Sequence, residues 1–230
     1  IKMNELAKKK DFKSADGTVL PYIEYKSKNE PESAIVLIYE IFGMTNHIHK
    51  LANTFAENGF IVNIPDIFSR IERNVALPYN REGFKKGISL KEQIGWQIPV
   101  MDIVSCASQL KKNFNVTVLG YCFGGSLGWL AMQKSFIFDK GVCYYGSSIS
   151  EFLNNNINCP AMLHFGKKDK GIPYKSIEKI KAYTSQQQQK VIINEYDNAD
   201  HGFNCEDRKS YKKNSALLAF KKTLNFIKEK

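Results

Sequence analysis

The stretch Val116-Thr117-Val118-Leu119-Gly120-Tyr121-Cys122-Phe123-Gly124-Gly125 decides the fold. An apolar run of strand length, residues 116–119, leads into a glycine. A cysteine follows two residues later, and two more glycines precede a helix-compatible segment, residues 126–134. This is the G-x-S-x-G elbow with cysteine in the serine position. Such a turn holds the nucleophile in strained backbone between strand and helix, and its glycines let neighbouring backbone come close. The helix N-terminus behind it favours negative charge, which suits a thiolate. Taken alone, the stretch fits equally well a buried cysteine in a glycine-rich turn or a phosphate cradle, so the rest of the chain has to decide.

Working outward, residues 34–39, 60–64, 141–145, 161–165 and 191–196 are further apolar runs of strand length. Most do not alternate with polar residues, which predicts strands buried on both faces of a parallel sheet. Asp16-Gly17, between alternating stretches, predicts an opening hairpin of edge strands. Ile48, Leu51, Ala52 and Phe55 recur at helical spacing, after an N-cap at Thr45 or Asn46 and before a stop at Gly59. Leu217, Phe220, Leu224 and Ile227 make the apolar stripe of a C-terminal helix. Strand–helix alternation with right-handed crossovers predicts one α/β domain over residues 1–230, a doubly wound, mostly parallel sheet flanked by helices. Residues 70–95 carry Pro78, Gly83, Gly87 and several charges, and are expected to form a loop-rich excursion near the site mouth. Gln186 to Gln189 reads as a loop.

The 230 residues suffice for a core that needs neither disulfide nor metal. The five cysteines are odd in number, widely spaced and without a C-x-x-C pair, which argues against a disulfide framework or a zinc site and for reduced thiols in the cytoplasm. The net charge of +10 raises the question of nucleic acid. The basic residues, however, are scattered lysine pairs such as Lys85-Lys86 and Lys111-Lys112, without an arginine stripe or an aromatic platform. A solvated lysine surface is the expectation. No apolar run reaches membrane-spanning length, and the first residues lack the apolar region of a signal peptide. The expected partner is therefore a small molecule, with no nucleic acid, membrane, metal or cofactor, and the expected state is a monomer.

A nucleophile at Cys122 needs a base and an orienting acid. In this architecture they follow in the order nucleophile, acid, base, each just after a strand. Asp169 follows the run 161–165, and His201 follows the run 191–196. Both fall at C-terminal strand ends, where sites of open α/β sheets form. Of the other histidines, His164 lies inside a strand and reads as structural, while His47 and His49 sit at a helix start as surface or capping groups. Asp200 and Asp197 compete with Asp169, but adjacent side chains diverge and the Asp169 loop matches the topology.

Together with the elbow, Glu40-Ile41-Phe42-Gly43, Pro65-Asp66, Tyr144-Tyr145-Gly146, Asp169 with Pro173, and His201-Gly202-Phe203 resemble the dienelactone hydrolase (carboxymethylenebutenolidase) family over nearly the whole chain. The resemblance implies an α/β-hydrolase fold. It implies Cys122, Asp169 and His201 as the triad, and the backbone N–H groups of Ile41 and Phe123 as the oxyanion hole. It also implies that Glu40 holds the resting thiol and takes its proton when substrate binds; from the residues alone, Glu40 could equally be a loop or helix-cap acid. The chain departs from the family where arginines hold a substrate carboxylate. Cys205 stands near one such place with Arg208 slightly later, and Ile88-Ser89-Leu90-Lys91 occupies the other. Arg70, Arg81, Lys91, Tyr144 and Arg208 are the candidate substrate contacts. A thiolate leaves a tetrahedral intermediate more readily than a simple alkoxide. The expected substrate is therefore a lactone or activated ester, not an amide. The alternative is a relative that binds a small ligand in the same cleft without turnover.

Overall fold

The non-alternating apolar runs pair side by side because they offer water no polar face. In the computed structural model, which describes residues 7–229, the strands are β1 (Ala7–Lys13), β2 (Val19–Tyr25), β3 (Ser33–Ile38), β4 (Phe60–Pro65), β5 (Val116–Tyr121), β6 (Lys140–Tyr144), β7 (Ala161–Gly166) and β8 (Val191–Tyr196). They form one sheet in the order β1-β2-β4-β3-β5-β6-β7-β8. From β4 to β8 the neighbours are parallel. The opening hairpin turns at Asp16-Gly17 as its sequence demands and joins β4 antiparallel. β4, β5 and β7 are buried at every position, so both faces of the sheet are covered.

The helices are α1 (Asn46–Glu57), α2 (Arg81–Ile94), α3 (Gln97–Lys111), α4 (Phe123–Lys134), α5 (Tyr174–Thr184) and α6 (Lys213–Lys228). Phe55 of α1 packs on Phe220 of α6, with ring centres 5.3 Å apart. The two central crossovers place the ends of β3 and β5 next to each other, and this is where the site forms.

Two expectations need correction. Residues 81–94 are helix α2, not loop. Asn80 caps it by accepting the Gly83 N–H at 2.9 Å. Gly83 and Gly87 lie inside this helix because other backbone crosses them: a Cβ on Gly87 would come within 2.5 Å of the Ile41 carbonyl oxygen. The glycines that argue against a helix locally are required by its packing. In α6 the buried positions are Ala216, Ala219, Thr223, Phe226 and Ile227. Leu217 of the anticipated stripe is 57% exposed. Thr45 does stand at the α1 N-cap, but its hydroxyl meets the Tyr79 hydroxyl at 2.8 Å instead of capping.

Candidate active site

β5 delivers Cys122 at φ 55° and ψ −113°. A residue with a Cβ takes this left-handed geometry only under strain, on the order of 1–3 kcal/mol. The surroundings hold it there. The Cys122 N–H donates to the Tyr144 carbonyl at 2.9 Å. A Cβ on Gly120 would lie 1.9 Å from the Gly124 oxygen, and one on Gly124 would lie 2.3 Å from the Ile38 oxygen. Only glycine lets α4 start so close to β3 and β5.

Three loops at the C-terminal ends of β5, β7 and β8 bring one chain of polar atoms together. Cys122 Sγ lies 3.1 Å from His201 Nε2. His201 Nδ1 lies 2.7 Å from Asp169 Oδ2. The other Asp169 oxygen accepts the Gly171 N–H at 2.8 Å, which orients the buried carboxylate. Burial pushes the His201 imidazole down, but the Cys122 charge and the bonds to Asp169 and Cys122 more than offset it, and the ring is pushed up to about 10. The rival acids are engaged elsewhere. Asp200 accepts the His201 backbone N–H at 2.6 Å, and Asp197 pairs with Lys167 at 2.7 Å on the surface.

Phe123 is the first residue of α4, where a backbone N–H has no acceptor within the helix. Ile41 follows β3, the parallel neighbour of β5, so both N–H groups belong to the same end of the sheet. Packing of Gly87 on the Ile41 carbonyl fixes that loop from behind.

Glu40 is fully buried beside this end of the sheet. One of its oxygens accepts from Arg208 Nη1 at 3.1 Å, and the other has no partner. The thiol's own hydrogen bond goes to His201, not to Glu40. The Arg208 guanidinium lies over the rings of Phe42 and Tyr79, 5.5 and 5.9 Å from their centres. A cleft of about 430 Å³ is lined by these three residues with Arg81, Phe84 and His201.

Three of the anticipated substrate contacts lie elsewhere. Arg70 is bound by Asp102, through Nε and Nη2 at 2.7 Å each, and by Asp16 at 2.9 Å. A carboxylate as buried as Asp102 requires such a cation. Tyr144 is fully buried in β6 with its hydroxyl 2.8 Å from Thr223 Oγ1. Lys91 lies on α2 over the ring of Trp96.

His164 is enclosed in β7 between Tyr196 and Thr223, and burial pushes it down to about 3. His47 is neither surface nor cap. It is buried, with Nδ1 2.6 Å from Glu206 Oε2. No local signal could reveal this pair, because its members stand 159 positions apart. Among the described residues no helix is long and apolar enough to cross a membrane.

The family model described as the dienelactone hydrolase family matches residues 21–230. The chain belongs to the dienelactone hydrolase family. It is a hydrolase of the lactone or ester type. A Synechocystis sp. relative named "Putative carboxymethylenebutenolidase" is 28% identical over 203 residues, 82% of each chain. The carboxymethylenebutenolidase of Pseudomonas putida is 25% identical over 223 residues, 94% of each. A crystal structure of a "Putative Dienelactone Hydrolase" from Klebsiella pneumoniae superimposes with a TM-score of 0.84 at 23% identity, covering 97% of this chain and 98% of its own. That likeness establishes the α/β-hydrolase fold for this dienelactone hydrolase family member.

Proposed function

We propose that the protein hydrolyses a lactone or activated ester through a thioester on Cys122. The observation that carries this reading is the chain from Cys122 Sγ through both nitrogens of His201 to Asp169, anchored on a positive-φ residue at a helix start. The thiolate attacks the carbonyl carbon, and the carbonyl oxygen becomes an oxyanion facing the N–H groups of Phe123 and Ile41. Each such donor is worth about 2.7–4 kcal/mol. Collapse breaks the acyl–oxygen bond, and His201 gives its proton to the leaving oxygen. Water, deprotonated by His201, then attacks the thioester and releases the acid and the thiol. Asp169 keeps the ring oriented throughout.

Glu40 serves as acceptor for the thiol proton in a second resting arrangement. Its support is the buried, unpartnered oxygen next to the Arg208-bound one. Arg81 and Arg208 are the cleft residues suited to an anionic group on the substrate. The whole reading is tested by Cys122→Ala on an aryl ester. Turnover is expected to vanish in a protein with an unchanged circular dichroism spectrum; retained turnover overturns it. A folded native protein that turns over no member of an ester and lactone panel supports the ligand-binding alternative instead.

A further inference from the structure

The residue after β6 is a second strained point beside the site, and the reaction above gives it no part. Tyr145 has φ 37°, in the left-handed region where Cys122 also lies. Glycine takes this conformation freely; a tyrosine takes it under strain, so its surroundings must impose it. The Tyr145 N–H donates to the His164 carbonyl of β7 at 2.8 Å. On one side the Tyr144 carbonyl accepts the Cys122 N–H at 2.9 Å. On the other, Gly146 packs so closely on the start of α4 that a Cβ there would lie 3.0 Å from the Gly125 backbone carbon. The turn is thereby locked to the nucleophile elbow and to the strand that leads to Asp169.

This strained backbone carries a fully buried ring into the His201 loop. The Tyr145 ring centre lies 5.1 Å from that of His201, with 57° between the planes, and 5.4 Å from that of Phe203, edge to face at 75°. His201 itself is held at two points, Nδ1 on Asp169 and Nε2 on Cys122. Two bonds leave a planar ring able to rock about the line joining its nitrogens, and rocking turns Nε2 away from the sulfur. A second ring packed against the imidazole removes that freedom. The Tyr145 hydroxyl is buried without a hydrogen-bond partner, so what the site draws from this residue is its ring.

We propose that Tyr145 is a positioning residue for His201: its left-handed backbone sets the ring against the imidazole and keeps Nε2 on the Cys122 thiol. This rests on the Cys122–His201 reaction proposed above. The placement serves both halves of that reaction, since His201 gives a proton to the leaving oxygen and later takes one from water.

The test compares Tyr145→Phe and Tyr145→Leu with the native protein, each also in a His201→Ala background. Two rates are read: steady-state hydrolysis of p-nitrophenyl acetate, and alkylation of Cys122 by iodoacetamide, followed by peptide mass spectrometry. Tyr145→Phe keeps the ring and is expected to hold kcat and KM within about twofold of native. Tyr145→Leu is expected to lower kcat about 10–100-fold with KM within about twofold, and to slow alkylation about tenfold. In the His201→Ala background the same Leu substitution should leave alkylation unchanged, because no imidazole is there to position. An equal slowing in both backgrounds shows a structural role only and overturns the proposal. So do native kinetics in Tyr145→Leu, and so does a loss in Tyr145→Phe as large as in Tyr145→Leu, which assigns the effect to the hydroxyl. If Tyr145→Leu fails to fold, Tyr145→Met, which refills the space with a flexible chain, is judged by the same outcomes. Retained ester turnover in Cys122→Ala identifies instead a failure of the underlying functional reading.

Discussion

Two cysteines in this protein face an imidazole that is itself bonded to a carboxylate. Cys122 meets His201, held by Asp169 at 2.7 Å, and Cys205 lies by His47, held by Glu206 at 2.6 Å. In both places burial pushes the ring down, and the thiol and carboxylate neighbours more than offset it, raising it to about 10. The charges are thus much alike, and the surroundings differ. Cys122 sits on a strained turn with its thiol at 3.1 Å from Nε2, and His201 borders an open cleft. Cys205 is wholly enclosed. On the proposed reading, a thiol, an imidazole and a carboxylate do not by themselves make a reactive centre; backbone presentation and substrate access do.

The comparison breaks most sharply on Asp169, the proposed orienting acid. Asp169→Asn is expected to lower kcat/KM for an aryl ester by about 10³–10⁴-fold, because the ring loses its tautomer and the stabilisation of its charge. Glu206→Gln is expected to cost less than about tenfold at the pH optimum. Steady-state kinetics with both variants check this, and equal losses would erase the distinction.

Iodoacetamide sharpens it next. Cys122 is expected to be alkylated about 100-fold faster than Cys205, read by peptide mass spectrometry over a time course. Comparable rates would show that enclosure does not silence the second thiol.

The charge on His201 yields a smaller, directional effect. Its folded value lies above the ordinary 6.5 of an imidazole. The stability gained from that shift is fully present below pH 6.5 and is lost as pH rises through about 10. Cys122→Ser removes one of the groups that raise it. The His201 ring-proton NMR titration is then expected to move to lower pH, and urea stability should fall less steeply between those limits. A midpoint unchanged by the substitution contradicts a contribution of Cys122 to the raised value of His201.

The smallest effect on activity is expected at Arg70. Arg70→Ala leaves the buried Asp102 carboxylate without its cation and should reduce stability by about 3 kcal/mol. kcat/KM should stay within about twofold of native, measured where both proteins are folded. A selective rise in KM would return Arg70 to the substrate.

Much of this was legible in the residues. The elbow is a local pattern: a strand, a nucleophile flanked by glycines and a helix are contiguous, and sterics allow little else there. The order of Asp169 and His201 after their strands follows from topology, which apolar runs of strand length express well. α2 was hidden because Gly83 and Gly87 weigh against a helix in isolation. Close contact with the Pro78 carbonyl is what demands Gly83, and contact with the backbone of Ile41, far away in the chain, demands Gly87.

By itself the sequence determined the sheet and the elbow, and it pointed to the two residues, His201 and Asp169, that the structure lines up behind Cys122, since each stands just after a strand legible along the chain. Only the tertiary structure decided which charged side chains serve the cleft and which serve the core. Arg70 and Arg208 look alike in the sequence, yet one neutralises a buried carboxylate under the hairpin and the other faces the cleft beside Glu40. His47 likewise finds the carboxylate it binds, Glu206, 159 positions away. The reason is physical: apolar periodicity reports burial locally, whereas the fate of a charge depends on which opposite charge the fold brings within a few ångströms, and that is a property of the packed molecule.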